Sequence, residues 1–316
     1  MAFDGAHIIP HELTMDKIKS NPELKHQFIT AKHDTTGDFH KSWAKWETFN
    51  VKITRHEKIH LYGSLNKFLN KNNLKDMTYM ELYRSIKKFT DTLQVSPFKC
   101  EVKSYEYGVG IPVDNARKII DSAITHRLCS TSDIPYPDGG RMRTFVHHKY
   151  NEFKMYDKIP KENNLLRIEN NILRKSATPD IKIRSLADML NINECKKLVE
   201  YVTTPLREMI FIENIDPIKF NNDKDFELLM SRKYYSYWQE LNGINKKQRK
   251  KEQELVKKIN ERYGENIQGY LIDFVKAKCD SLLQVTKEDL AEVSEYLSQF
   301  SNNYITGKPP NYTPRT

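Results

Sequence analysis

The stretches Glu152-Phe153-Lys154-Met155-Tyr156-Asp157-Lys158 and Leu166-Arg167-Ile168-Glu169-Asn170-Asn171-Ile172 alternate in polarity along the chain. Side chains of an extended chain point to opposite sides in turn, so this pattern reads as two β-strands with one face in a core. The strands are predicted at 143–158 and 165–174, with Pro160-Lys161-Glu162-Asn163-Asn164 as their connection. Phe153, Met155 and Asp157 share one face of the first strand, and Glu152, Lys154, Tyr156 and Lys158 share the other. On the second, Leu166, Ile168 and Ile172 lie opposite Arg167 and Glu169. If the strands pair, a tyrosine hydroxyl, two lysines, an arginine and a carboxylate meet on one polar surface. That set can support covalent attack on a phosphodiester. It can equally be a cross-strand salt-bridge ladder.

Upstream, Phe3 to Ile9 is a candidate opening strand, and Asp34-Thr35-Thr36-Gly37-Asp38 is a turn signal. Trp43 and Trp46 suit either a short amphipathic element or part of a hairpin. Val51–Ile53 and Ile59–Leu65 alternate around residues 55–58, which predicts a β-hairpin. Thr78-x-x-Glu81 is a capping box, and Leu82, Ile86, Phe89 and Leu93 follow helical spacing, which predicts a helix over 79–94. Phe98 to Pro112 alternates again, with Phe98, Cys100, Val102, Ser104 and Glu106 on one side and Tyr105, Tyr107, Val109 and Ile111 on the other. A second helix opens at Val113 or Asp114 and turns Ala116, Ile119, Ile120, Ala123 and Ile124 inward. Residues 130–142, rich in Ser, Pro, Asp and Gly, read as a loop.

After Ser185-Leu186-Ala187-Asp188-Met189-Leu190 the chain turns helical to its end, apart from a Pro-rich tail at 308–314, with Thr286-x-x-Asp289 capping the last helix. The order of elements in 50–175 predicts an α+β fold, an antiparallel sheet with helices packed on one face, followed by a helical C-terminal region. We divide the chain into an α+β domain at 1–190 and a helical, basic region at 191–316.

Composition narrows the partners. The net charge is +9, and residues 224–262 hold eleven Lys or Arg against six Asp or Glu. This favours a polyanion. Arg249, Lys250, Lys251, Lys257 and Lys258 either track phosphates or form a solvated helix face. No stretch approaches the roughly 20 apolar residues of a membrane span. The N-terminus does not read as a signal peptide, and the scattered Cys100, Cys129, Cys195 and Cys279 fit a reducing cytoplasm. Glu106 sits among apolar and small neighbours. It needs a partner, either Arg167 or a lysine, or a metal. His60, on a face with Tyr62 and Ser64, is a candidate ligand or a solvent-exposed side chain. So is one of His147 and His148.

Several segments together resemble a known family. His60-Leu61-Tyr62-Gly63-Ser64-Leu65-Asn66-Lys67-Phe68, with Asn70, Asn72 and Asn73, is similar to the "GSLHK-fhnG-N" segment of replication proteins related to the filamentous-phage gene II protein. Cys100 to Ile111 resembles their acidic strand. Glu152 to Lys158 resembles a tyrosine strand shared with many plasmid rolling-circle initiators, often "KIYDK". Leu166 to Ile172 resembles the following "LRFEIKI", and Leu186-Ala187-Asp188-Met189-Leu190 the next segment. The segments keep the family's order across about 60–190 and leave 1–50 and 220–316 uncovered.

The resemblance implies a DNA nicking endonuclease and strand-transferase of a phage or plasmid that starts rolling-circle replication. Tyr156 would be the nucleophile and would form a 5′-phosphotyrosine on single-stranded or hairpin origin DNA. Lys158 and Arg167 would assist it, and Lys154 would contact DNA. Glu106, Glu169 and His60 would hold Mg²⁺ or Mn²⁺. Host helicase and polymerase would be further partners, with no membrane involved. Two departures stand out. Asn66 replaces a frequent His, and Asn170-Asn171 replaces Ile-Lys. Two other functions fit the same residues, a plasmid mobilisation relaxase and a non-catalytic DNA- or RNA-binding replication regulator.

Overall fold

The largely apolar run Phe3 to Ile9 forms β1 (Ala2–Pro10), and Thr14 caps the short α1 (Met15–Ser20). Then follow β2 (Ile29–Lys32), β3 (Phe39–Trp46), β4 (Phe49–Thr54) and β5 (Ile59–Ser64). Two helices, α2 (Leu65–Asn70) and α3 (Tyr79–Leu93), lead to β6 (Cys100–Pro112), α4 (Ala116–Ser122) and β7 (Ala123–His126). The next strands are β8 (Ser130–Tyr136), β9 (Gly140–His147), β10 (Asn151–Asp157) and β11 (Leu165–Ile172). The remainder comprises α5 (Ile192–Glu208), β12 (Met209–Phe211), α6 (Asp223–Ser231), α7 (Tyr235–Ile244), α8 (Lys246–Tyr263), α9 (Ile267–Leu282) and α10 (Lys287–Ser301). This computed structural model describes residues 2–22, 29–32, 39–54, 56–126, 130–136, 140–147, 151–244 and 246–301. The turn signal at 34–38 and His148 lie outside them, as does the side chain of His147.

The fold is α+β. Ten strands form one antiparallel sheet in the order β2-β3-β4-β5-β1-β6-β11-β10-β9-β8, and β7 pairs with β12 separately. Helices cover one face. Phe89 of α3 packs its ring on Trp46 and Phe49, and Asn170 of β11 reaches the backbone of Tyr201 on α5. α9 packs behind α5 and against β6. One core runs from Phe3 to Tyr296, so α5, α9 and α10 complete the core of the sheet and the sequence boundary at 190/191 falls within it. Residues from Ile210 to Tyr263 build a second cluster around Trp238, Val256 and Ile259.

Caps form as their sequences predict. The Thr78 and Glu81 groups bond reciprocally at 2.7 and 3.2 Å, and those of Thr286 and Asp289 at 2.9 and 3.0 Å. Four expectations change. The single strand at 143–158 is a hairpin, in which Asn151 pairs with His147 and Tyr156 with Met142. The loop at 130–142 contributes β8, which pairs with β9 from Ser130–Val146 to Tyr136–Gly140. Its Pro135 is tolerated because β8 is the edge strand, where a missing donor breaks no inner ladder. The helix opened by Asn115 stops at Ser122, since Ala123–His126 pairs with Met209–Phe211. Finally, β6 does not alternate throughout. His7 pairs with Ser104 but Ile8 with Val102, which leaves Lys103 as a bulge. Cys100 and Val102 therefore enter the same core as Tyr105 and Tyr107, and only Ser104 and Glu106 turn to the open face.

Candidate active site

β10 and β11 pair in the register that joins Tyr156 to Arg167, Lys154 to Glu169 and Met155 to Ile168. Because side chains alternate, Tyr156, Lys154, Arg167 and Glu169 stand together on the uncovered face. The Tyr156 hydroxyl donates to Glu169 Oε1 at 3.0 Å, and Lys158 Nζ lies 3.4 Å from that hydroxyl. Lys158 also sits over the Tyr156 ring, 5.6 Å from its centroid. It follows the last residue of β10, and its backbone N–H donates to the Leu165 carbonyl, which keeps it in the strand's alternation.

Arg167 is 1% exposed and has become the hub of the site. Its Nε donates to Glu169 Oε1 at 2.8 Å, its Nη1 is bonded to Asp76, and its Nη2 lies 3.8 Å from Asp4. Asp76 comes from the connection between α2 and α3. It also accepts the Gly110 N–H, with oxygens at 3.1 and 2.9 Å. That N–H lies beyond the end of β1, whose Ala2 pairs with Gly108.

Asp4 reaches the cleft through a second bulge. Phe3 pairs with Tyr107 and Ala6 with Tyr105, so Asp4 and Gly5 together oppose Glu106. A bulge of this kind re-aims a side chain. A Cβ at Gly5 would stand 2.7 Å from Glu106 Oε2, so a larger residue there would displace the Glu106 carboxylate. Asp4 accepts from Ser64 at 2.7 Å and Asn73 at 2.8 Å, and its carboxylate lies 3.6 Å from Lys158 Nζ. Burial opposes its ionisation, but Arg167, Lys158 and these two donors outweigh it and hold the carboxyl below its ordinary range.

Glu106 behaves in the opposite way. Its partner is Lys154, at 3.2 Å, one of the two kinds of partner expected from the sequence. Burial pushes its carboxyl up, Lys154 opposes this, and the nearby Glu169 and Asp4 add to the rise. Burial likewise lowers Lys158, with Arg167 helping and Asp4 and Glu169 resisting. Asp4, Glu106, Tyr156, Glu169, Asn73 and Lys67 line one cleft of about 460 Å³.

His60 stands elsewhere. Its Nδ1 is 2.8 Å from His7 Nε2, and it does not line the cleft. Among the described residues no group of three or more His, Cys, Asp and Glu converges as a metal cage. Asn66 is buried in α2 and donates to the Lys75 carbonyl at 2.8 Å. The two asparagines that replace Ile-Lys divide by face. Asn170 is buried and donates to the Tyr201 carbonyl at 2.8 Å, while Asn171 lines the cleft.

The C-terminal basic candidates separate too. Lys250, Lys251, Lys257 and Lys258 are exposed on α8. Arg249 is corrected as a DNA contact. It is 3% exposed and donates to the carbonyls of Trp238 at 3.0 Å and His126 at 3.1 Å. It lies one heptad before Val256 and so falls on the buried stripe that continues through Ile259 and Tyr263.

Sequence reasoning missed Asp4, Asp76 and Lys67. An acid inside the apolar run Phe3 to Ile9 was a signal for Asp4, since a buried carboxylate needs partners. Asp76 lies in a polar loop and carried no such signal. No protein-family model and no curated protein matches this chain.

Proposed function

We propose that the protein nicks and rejoins single-stranded DNA through Tyr156, as the rolling-circle initiator of a phage or plasmid. The observation that carries this reading is the Tyr156 hydroxyl. It lines an open cleft, donates to a carboxylate and has an ammonium group 3.4 Å away. Glu169 is placed to take the phenolic proton as Tyr156 Oη bonds to phosphorus. The phosphorus–O3′ bond then breaks, and the departing 3′ oxygen takes a proton from solvent. The products are a 5′-phosphotyrosine and a free 3′-OH, and the reverse attack reseals the strand without a nucleotide cofactor.

Lys158 offsets charge at the attacking oxygen and on the phosphoryl oxygens. Arg167 is a positioning residue, since its guanidinium orients Glu169 from beneath. Lys67 faces the cleft as an exposed cation suited to a phosphate. Glu106 and Glu169, which line the same cleft, are the two carboxylates that would hold a hard divalent cation such as Mg²⁺ or Mn²⁺. When bound, that ion would supply Lewis-acid polarisation of the scissile phosphate. The exposed lysines of α8 are assigned to DNA backbone contact outside the cleft.

The test is a covalent adduct. Labelled single-stranded and hairpin oligonucleotides tiled across the encoding replicon are incubated with the protein and Mn²⁺ or Mg²⁺, then run on a denaturing gel. An adduct in the wild type that is lost in Tyr156→Phe is the expected result. An adduct that persists in Tyr156→Phe removes the nucleophile assignment, and binding without any adduct points to a replication regulator.

A further inference from the structure

The open face of the sheet carries a second set of side chains, on β3, β4, β5 and β1, that the nicking chemistry leaves unused. Strand register aligns them in two rows. One runs Trp43–Lys52–His60. The other runs Lys45–Asn50–Tyr62–His7–Ser104, from β3 across to β6. The rings stack on one another. His7 lies 4.1 Å from Tyr62 at 21° between planes, and 5.1 Å from His60 at 28°. Tyr62 remains 38% exposed and Trp43 39% exposed.

Cations flank the rings. Lys45, Lys52 and Lys67 are exposed and enter no ion pair among the described residues. The acids beside this surface are already matched, Glu101 by Lys103 at 2.8 Å, Glu106 by Lys154 at 3.2 Å, Glu169 by Arg167 at 2.8 Å and Asp4 by Lys158 at 3.6 Å. His7, Asn50 and Tyr62 line the same cleft as Tyr156 and Glu169. Burial and the neighbouring His60 bring His7 down to about 4, so its ring is a neutral stacking surface at pH 7.

We infer that these rows are a stacking track for single-stranded DNA, which carries the strand across the open sheet face to Tyr156. Aromatic rings interleaved with unmatched lysines suit a chain that alternates flat bases with anionic phosphates. A duplex keeps its base faces covered by its own stacking, so exposed rings select the unpaired form. The inference rests on the nicking reading for the destination of the strand, while the track itself can be tested by binding alone.

The measurement is fluorescence anisotropy of a labelled oligo(dT), and of a matching oligonucleotide whose bases are replaced by abasic spacers, at one salt concentration. Tyr62→Leu keeps an apolar side chain but removes the ring, and is expected to weaken oligo(dT) binding about ten-fold. Tyr62→Phe should bind like the wild type, and the abasic probe should not distinguish the three proteins. Unchanged oligo(dT) binding by Tyr62→Leu overturns the track, as does a loss of equal size on the abasic probe. The covalent-adduct assay on the wild type, run beside the binding series, separates the two readings. A Tyr62-dependent track with no wild-type adduct keeps the track and removes nicking. An adduct with no Tyr62 dependence removes the track and keeps nicking.

Discussion

Positive charge is used in opposite ways on β11 and on α8. Arg167 on β11 is buried among Glu169, Asp76 and Asp4, whereas Lys250 and Lys257 on α8 keep 79% and 60% of their side-chain surface in water. The lysines' own partners, Glu254 at 4.0 Å and Glu261 at 3.8 Å, are exposed pairs one helical turn away. Water screens such pairs to almost nothing, while a buried network holds its members in place. The first arrangement can position a reacting group; the second can only offer charge to a partner.

The sharpest break of that contrast is Arg167→Ala. It leaves Glu169, Asp76 and Asp4 without their shared cation, and we expect a loss of about 3–5 kcal/mol. Urea denaturation measures it. A loss below about 1 kcal/mol would place Arg167 with the surface lysines and remove it as the anchor of Glu169.

A second contrast lies inside the cleft, where Asp4 and Glu106 respond to pH with opposite signs. The Asp4 carboxyl is held below its unfolded value of 3.8, so its contribution is present above that pH and is lost as pH falls through the folded value. The Glu106 carboxyl is raised above 4.5, so its contribution is present below that pH and is lost as pH rises through the folded value. In stability measured against pH, Asp4→Asn should flatten the acid limb, and Glu106→Gln should remove a decline on the side above 4.5. Curves that move in the same direction for both variants would contradict this assignment.

The sequence made the pair of strands around Tyr156 legible because alternation is local. Phe153 and Met155 had to go inward, so Tyr156 had to go outward, and Arg167 and Glu169 followed the same rule. The helix caps were legible for the same reason. What stayed hidden depends on pairing between distant segments. The bulge at Asp4–Gly5 exists only against Glu106, and the bulge at Lys103 only against His7 and Ile8. Each slips the alternation by one residue, which no single strand reveals. β8 carries turn-like residues and is a strand because β9 lies beside it. Asp76 belongs to the site only because Arg167 reaches it. On α8 the apolar stripe was readable, but the density of basic residues drew Arg249 into the wrong group.

The smallest expected stability change separates that group. Replacing Lys250, Lys251, Lys257 and Lys258 with Gln should leave unfolding within about 0.5 kcal/mol of the wild type, since each side chain is exposed and lightly paired. Arg249→Gln should cost more than the four together, because it takes donors from the buried carbonyls of Trp238 and His126. DNA binding should rank the two variants the other way. If the lysines meet phosphates, each contact contributes about 0.9 to the salt slope on duplex and about 0.7 on a single strand. The four-lysine variant should therefore bind DNA with a flatter dependence on salt. Arg249→Gln, assayed below its unfolding range, should keep the wild-type slope. An unchanged slope in the four-lysine variant would make α8 a solvated face, and the polyanion contact would then lie with Lys45 and Lys52 on the open sheet and Lys67 beside the cleft.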